Sequence, residues 1–316
     1  MNVLVTGGAG FIGSQVAEAF LARGDRVWVL DDLSTGKREN VPAGAELVVS
    51  DVADPAVGRL LGEARIELVS HHAAQIDVRA SVADPARDAR VNVLGLLNLC
   101  EAAVRSGTRR FLCVSSGGVV YGAPEHRPTP EAAPKLPLSP YGVSKLAGEY
   151  YLHYYRRVHG LEYVALRYAN VYGPRQDPHG EAGVVAIFSN RLLDGIPLTI
   201  YGDGEQTRDY VFVADVVGAN LLAADMTLPD EPTDLDAVAY NVGTGIETSV
   251  NHLATLLERV AAAGPGREHR DPRPGELQTS ALDAGRLRAR GWTPGRTLAQ
   301  GLEETYRYIA AHREGL

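Results

Sequence analysis

A chain of 316 residues, 45% apolar and 22% charged, has room for one large or two modest globular domains. Its net charge of -8 offers no basic excess to displace counterions, so no nucleic-acid partner is expected, and its two cysteines, Cys100 and Cys113, spell neither a disulfide framework nor a metal site. Without a basic apolar leader or an apolar run of membrane-spanning length, the expectation is a cytoplasmic enzyme or binding protein with no membrane partner.

Residues 2–6 (Asn2-Val3-Leu4-Val5-Thr6) read as a buried strand. Gly7-Gly8-Ala9-Gly10-Phe11-Ile12-Gly13 follows, and then an amphipathic helix to about Arg23. Gly7 permits the tight turn, Gly10 lets backbone amides approach a pyrophosphate, and Gly13 lets the helix lie close to the sheet. The helix N-terminus then faces the phosphates. A second strand at 26–30 ends in Asp31, the context that a dinucleotide site requires. Asp31 is placed to accept from the adenosine ribose hydroxyls, and a carboxylate there repels a 2′-phosphate, so NAD is favoured over NADP. Lys37 and Arg38 read as a solvated loop after Gly36.

A third strand at 47–49 leads to Asp51-Val52, where Asp51 can meet the adenine edge. A fourth at 68–70 leads to His71-His72-Ala73-Ala74. Neighbours on a strand point to opposite faces and no third ligand is evident, so these histidines predict no metal. Residues 92–105 form a helix with Val93, Leu96, Leu97, Cys100 and Val104 on one stripe. A fifth strand at 110–114 runs into Ser115-Ser116-Gly117-Gly118. A hydroxyl at a strand's carboxyl end lies at the crevice where open α/β sheets bind ligands, so Ser115 or Ser116 can bond a substrate oxygen. The alternation of strands and helices predicts an α/β fold with a parallel, doubly wound (Rossmann) sheet.

After a proline-rich loop at 124–140, Tyr141-Gly142-Val143-Ser144-Lys145 puts a tyrosine and a lysine on one face of a helix. A free phenol titrates near about 10 and is a poor base at neutral pH. A cation within about 4–6 Å favours the phenolate, which can take a proton from a hydroxyl while a hydride leaves the same carbon. The same helix carries Tyr150, Tyr151, Tyr154 and Tyr155, read as core or subunit seam. Gly183-Val184-Val185 opens a further helix whose N-terminus can receive a phosphate. Residues 198–204 read as a strand and turn, and Arg208 after them is a good bidentate ligand for a diphosphate, with a surface pair to Asp209 as the bland alternative. The stretch 292–312 reads as a closing helix.

These motifs, with Arg167-Tyr168-Ala169-Asn170-Val171-Tyr172-Gly173-Pro174 after them, occur in one order over nearly the whole chain. The sequence resembles the extended short-chain dehydrogenases/reductases, and within them the nucleotide-sugar epimerases that act at C4 of UDP-hexoses. The resemblance implies an NAD-binding Rossmann domain over 1–174. Residues 175–316 would be mainly a smaller, mixed UDP-sugar-binding region, with some segments returning to the first. It implies an isomerase that interconverts UDP-glucose and UDP-galactose through a 4-keto intermediate, with tightly held NAD and a homodimer seam. Gly7, Gly10, Phe11, Ile12 and Gly13 would cradle the pyrophosphate. Asp31 would hold the ribose, and Asp51 and Val52 the adenine. Ala73 and Ala74 would pass under the cofactor near Asn92, Tyr141 and Lys145 would touch the nicotinamide ribose, and Tyr168 would pack near the nicotinamide.

Of the sugar contacts, Asn170, Gly183 and Val184 would line the substrate site, Thr199 and Tyr201 the uracil, Arg208 and Arg273 the diphosphate, and Glu276 the uridine ribose. Ser280 occupies the place where a bulky residue excludes N-acetylated sugars, so UDP-GlcNAc and UDP-GalNAc would fit too. The sequence departs from the family where relatives show three hydroxyl residues. Counting back from Tyr121 puts Gly117 in the catalytic slot, whereas counting forward from Phe111 puts Ser116 there. Ser116 is chosen because glycine has no hydroxyl to offer. Gly117-Gly118 lacks the acid/base pair of a 4,6-dehydratase. Other epimerases or reductases of the superfamily, and a non-catalytic NAD sensor, are the competing readings.

Overall fold

The structure, a computed structural model, describes residues 1–177, 183–230, 233–273 and 277–313. It opens with β1 (Asn2–Thr6), α1 (Phe11–Ala22), β2 (Arg26–Asp31), β3 (Glu46–Val49), α2 (Val57–Glu63) and β4 (Leu68–His71). Two short helices, α3 (Val78–Ala83) and α4 (Pro85–Ala89), lead through a π turn at Arg90–Leu94 into α5 (Gly95–Ser106). Then come β5 (Arg110–Ser116), the single turn α6 (Gly117–Val120), α7 (Pro140–His159), β6 (Glu162–Tyr168) and β7 (Asn170–Tyr172). The remainder is α8 (Val184–Leu193), β8 (Leu198–Tyr201), β9 (Thr207–Phe212), α9 (Val213–Asp225), β10 (Ala239–Val242), β11 (Glu247–Ser249), α10 (Val250–Ala261), β12 (Arg267–Arg270), α11 (Gly285–Arg288) and α12 (Leu298–Ala311).

Two compact units emerge. The first comprises Met1–Gly122, Pro134–Arg167 and Val217–Tyr240. Its seven-stranded sheet has the order β10-β6-β5-β4-β1-β2-β3. The apolar runs of β1 and β2 and the full burial of β4 suit strands covered on both faces, and β3-β2-β1-β4-β5 pair in parallel. The chain steps outward from β1 to β2 and β3, then crosses to the other side of β1 for β4. That reversal is where a doubly wound sheet opens its ligand crevice.

The second unit comprises Ala123–Ala133, Tyr168–Val216 and Asn241–Leu316. It holds a three-stranded sheet, β11-β9-β7, and a two-stranded one, β12-β8. β7 runs parallel to β9 and β11 antiparallel to it, so the unit is mixed. Helix α12 lies directly on this sheet: a Cβ on Gly301 would meet the Tyr172 hydroxyl at 2.2 Å.

Two helix expectations need correction. The closing helix starts at Leu298, not at residue 292, because Pro294-Gly295 interrupts it and Thr297 with Gln300 forms a capping box. In α5 the buried stripe is Leu96, Leu99, Cys100 and Ala103. Val93, on the π turn, and Leu97 and Val104, on the helix, are only partly buried.

Candidate active site

The glycine turn sits at the carboxyl end of β1. Gly7 has φ +65°, and a Cβ there would meet the Ala73 nitrogen at 2.6 Å, so the segment after β4 passes hard against it. A Cβ on Gly13 would lie 2.2 Å from the Gly7 carbonyl oxygen, and this sets how closely α1 approaches the turn. Gly10 is the N-cap of α1 and no side chain caps the helix, so backbone N–H groups at Phe11 and Ile12 are left for an anion.

Asp31 is buried at the end of β2, accepting from the Ala9 and Leu33 nitrogens, each at 2.9 Å. Two bonds leave a carboxylate with lone pairs for ribose hydroxyls. Ser50 donates its N–H to the Asp31 carbonyl at 3.2 Å, which makes Asp51 and Val52 close neighbours of Asp31. Asp51 is exposed and caps Ala53, while Val52 is buried against Gly95. Ala73 and Ala74 follow β4, with the Ala73 nitrogen 3.3 Å from the Thr6 hydroxyl. A cradle that only glycine fits, an uncapped helix start and a buried carboxylate ending β2 fit a dinucleotide.

The catalytic candidates lie on α7 and at the end of β5. Ser139 caps the helix by accepting from the Gly142 nitrogen, and Pro140 occupies its first turn. Tyr141 is buried, with the Ser116 hydroxyl near enough to favour its phenolate. Lys145 donates to the Val114 carbonyl at 3.1 Å, and its ammonium stands 5.8 Å from the Tyr141 ring centroid. Ser115 points elsewhere: its hydroxyl donates to Glu149 at 2.6 Å. Gly117 begins α6 and offers no side chain.

The electrostatics differ from the sequence expectation. Burial pushes the Tyr141 phenol well above its ordinary range, and the Asp88 carboxylate adds to this. Burial also lowers Lys145, so in the chain alone desolvation, and not the nearby lysine, sets the direction for Tyr141. His71 and His72 are held neutral, lowered by burial to about 3. They bond Thr6 at 2.8 Å and Ser70 at 2.9 Å respectively.

Asn92 lies on the π turn, buried, and its amide is fully engaged. It accepts from the Gln75 nitrogen at 2.9 Å and donates towards the Gln75 carbonyl, Asp88 and Ser144 at 2.9, 3.0 and 3.3 Å. It therefore staples the segment after Ala74 to α7. Asp88, Ser144 and Glu149 are the residues that sequence reasoning passed over. The signal for Asp88 and Glu149 was their i,i+4 spacing to Asn92 and Lys145.

In the second unit, Asn170 opens β7 and pairs with Tyr210, and Tyr168 is buried at the end of β6. Gly183 caps α8 and accepts from the Ile187 nitrogen at 2.7 Å, with Val184 the first helical residue. Thr199 and Tyr201 lie on β8, and the Arg273 guanidinium stacks 3.9 Å above the Tyr201 ring centroid. Arg208 is half-buried on β9 and donates to the Thr207 carbonyl at 2.8 Å. Its neighbour Asp209 is turned to the other face, accepting from Thr244, Gly245 and Leu282, so it does not neutralise Arg208. The bond from the Thr207 nitrogen to the Gln278 carbonyl, 2.8 Å, runs the segment holding buried Ser280 beside β9. Glu276 lies outside the described residues.

The model of the NAD dependent epimerase/dehydratase family matches residues 3–243. The chain is 46% identical over 315 residues to a UDP-glucose 4-epimerase of Mycolicibacterium smegmatis, with 98% of each chain covered. Among solved structures it is similar to UDP-glucose 4-epimerase with UDP-glucose from Thermotoga maritima (TM-score 0.94, 44% identity, 99% and 100% of the two chains covered). It is also similar to the Thermus thermophilus UDP-glucose 4-epimerase in complex with NAD (TM-score 0.92, 45% identity, both chains fully covered).

Proposed function

The chain belongs to the NAD dependent epimerase/dehydratase family, and we propose that within it this protein is an isomerase that interconverts UDP-glucose and UDP-galactose through a 4-keto intermediate. The observation that carries this reading is the cluster of Tyr141, the neighbouring Ser116 and Lys145 at the carboxyl end of a parallel sheet. When bound, NAD supplies the hydride acceptor and donor for C4 and a positive ring that favours the Tyr141 phenolate. Tyr141 takes the O4 proton as the C4–H bond breaks, and Ser116 donates to O4 to hold it in line. Lys145 stabilises the phenolate and anchors the nicotinamide ribose. Once the 4-ketone has turned over, Tyr141 returns the proton to O4 on the opposite face. Glycines 7, 10 and 13, Asp31, Asp51 and Val52 hold the dinucleotide.

Arg208 and Arg273 take the diphosphate, Thr199 and Tyr201 the uracil, and Asn170, Gly183 and Val184 the rest of the substrate. Glu276 takes the uridine ribose. The small Ser280 leaves room for an acetamido group, which extends the substrates to UDP-GlcNAc and UDP-GalNAc. A homodimer is favoured by the apolar face that α7 presents: Tyr150, Tyr151, Tyr154 and Val143 are exposed there, whereas Tyr155 is buried and bonds Glu101 at 2.7 Å. No helix among the described residues is long and apolar enough to cross a membrane, in keeping with a cytoplasmic enzyme.

The test is to incubate the purified protein with UDP-galactose, and separately with UDP-GalNAc, without added cofactor and resolve the products. Formation of UDP-glucose is expected from the first and UDP-GlcNAc from the second. No conversion of UDP-galactose, even with NAD supplied, would overturn the assignment.

A further inference from the structure

The catalytic tyrosine has a carboxylate behind it that the reaction scheme does not use. Asp88 is the fourth residue of the five-residue α4 and is 1% exposed. Its Oδ1 accepts from the Asn92 amide at 3.0 Å and the Gln75 amide at 3.1 Å, two neutral partners that leave its charge in place. Asn92 in turn reaches the Ser144 hydroxyl, and Ser144 donates to the Tyr141 carbonyl at 2.9 Å. Hydrogen bonds thus run from Asp88 to the first turn of the catalytic helix, and from Asp88 to the segment that follows Ala73 and Ala74.

We propose that Asp88 is a positioning residue whose negative charge sets the pH range in which Tyr141 and Lys145 act as the catalytic pair. This rests on the reading of Tyr141 as the base. The groups acting on Tyr141 from the elements packed around it are few. Helix α4 contributes Asp88, β5 contributes Cys113 and the Ser116 hydroxyl, and α3 contributes the Ser81 hydroxyl, which accepts from the Tyr141 nitrogen at 3.2 Å. Its own helix contributes Lys145. Asp77, at the start of α3, is occupied in capping that helix. His71 at the end of β4 and His72 just after it feel the Lys145 charge and remain neutral.

In this setting a buried carboxylate works on both members of the pair. It disfavours the phenolate of Tyr141 and favours the ammonium of Lys145. Asp88 therefore delays loss of the tyrosine proton and keeps the lysine charged. With Asp88 neutral, both groups titrate at lower pH, and the whole activity profile moves towards acid. A group that served only to hold Asn92 would lower the rate without moving the profile.

The experiment is the pH dependence of kcat for UDP-galactose epimerisation in the wild-type holoenzyme and in Asp88→Asn, which keeps the shape and an accepting oxygen but removes the charge. Both limbs are expected to shift to lower pH by about one unit, with KM for UDP-galactose within about twofold of wild type. Asp88→Ser, smaller and uncharged, repeats the measurement should the amide variant not accumulate. It is expected to show the same shift with a lower maximum, because the Asn92 contact is also lost. Limbs that coincide with wild type in a folded uncharged variant would overturn the inference. A wild-type enzyme without epimerase activity would instead overturn the function on which it rests.

Discussion

Arg167 on β6 and Glu149 on α7 form an ion pair with both side chains fully buried: Nη2 lies 2.6 Å from Oε2, and Nε lies 3.0 Å from Oε1. Glu149 also accepts from Ser115, and Arg167 also donates to the Tyr121 hydroxyl at 3.0 Å and approaches Asp236 at 2.9 Å. The pair thus ties β6, α7 and the end of β5 together, one residue before Ser116. Removing Arg167 leaves the Glu149 carboxylate buried without its cation, and removing Glu149 leaves buried Arg167 with the partly exposed Asp236 as counter-charge. Glu149→Ala or Arg167→Ala alone is expected to lower stability by about 3–5 kcal/mol. The paired apolar replacement Glu149→Leu with Arg167→Met should recover much of that loss. Urea unfolding of the single and double variants checks it, and additive losses would contradict the coupling.

Acid lability follows from the two buried histidines. His71 and His72 have ordinary values near 6.5 when unfolded and are lowered to about 3 in the fold by burial. Above pH 6.5 neither state is protonated and the two histidines leave stability independent of pH. Between the unfolded and folded values only the unfolded chain binds the protons. Each histidine then removes up to about 1.4 kcal/mol per pH unit as the pH falls. The urea midpoint is therefore expected to drop steeply below pH 6.5. His72→Gln should flatten the drop, and an unchanged slope would contradict the assignment.

The glycine cradle makes a prediction about retention of the dinucleotide. A methyl on Gly13 would stand 2.2 Å from the Gly7 carbonyl oxygen, which is backbone and cannot swing aside. Gly13→Ala is expected to push α1 off the turn and yield protein with less bound dinucleotide and reduced thermal stability. Absorbance of the nucleotide released on denaturation, per mole of protein, measures this. Undiminished content would show that the turn tolerates the displacement.

The parts of the site that were legible in the sequence are those whose chemistry is local. A glycine turn between a strand and a helix, an acidic residue ending the next strand, and a tyrosine and lysine one helical turn apart are each patterns of a few consecutive residues, and the structure keeps each pattern on the elements expected of it. Ser116 was reached by counting, and the structure shows the physical reason it differs from Ser115: adjacent strand residues face opposite ways, and Ser115 is taken up by Glu149. Asp88, Glu149 and Arg167 were not legible in the same way. A lone charged residue on a helix or strand reads as solvated surface, and the contacts of these three with Gln75, Ser115 and Tyr121 cross from one element to another. The π turn at Asn92 was equally hidden, because one inserted residue leaves composition unchanged and alters only which face turns inward.

The central claim is that Tyr141 is the acid/base of a C4 epimerisation. It is tested most directly by the rate of UDP-galactose conversion in Tyr141→Phe, alongside wild type, with dinucleotide content and circular dichroism matched. Phenylalanine keeps the ring in its buried place and removes only the hydroxyl that meets Ser116. The account predicts a fall of at least about 100-fold in kcat with the fold intact. A matched variant that still converts UDP-galactose at close to the wild-type rate would contradict it.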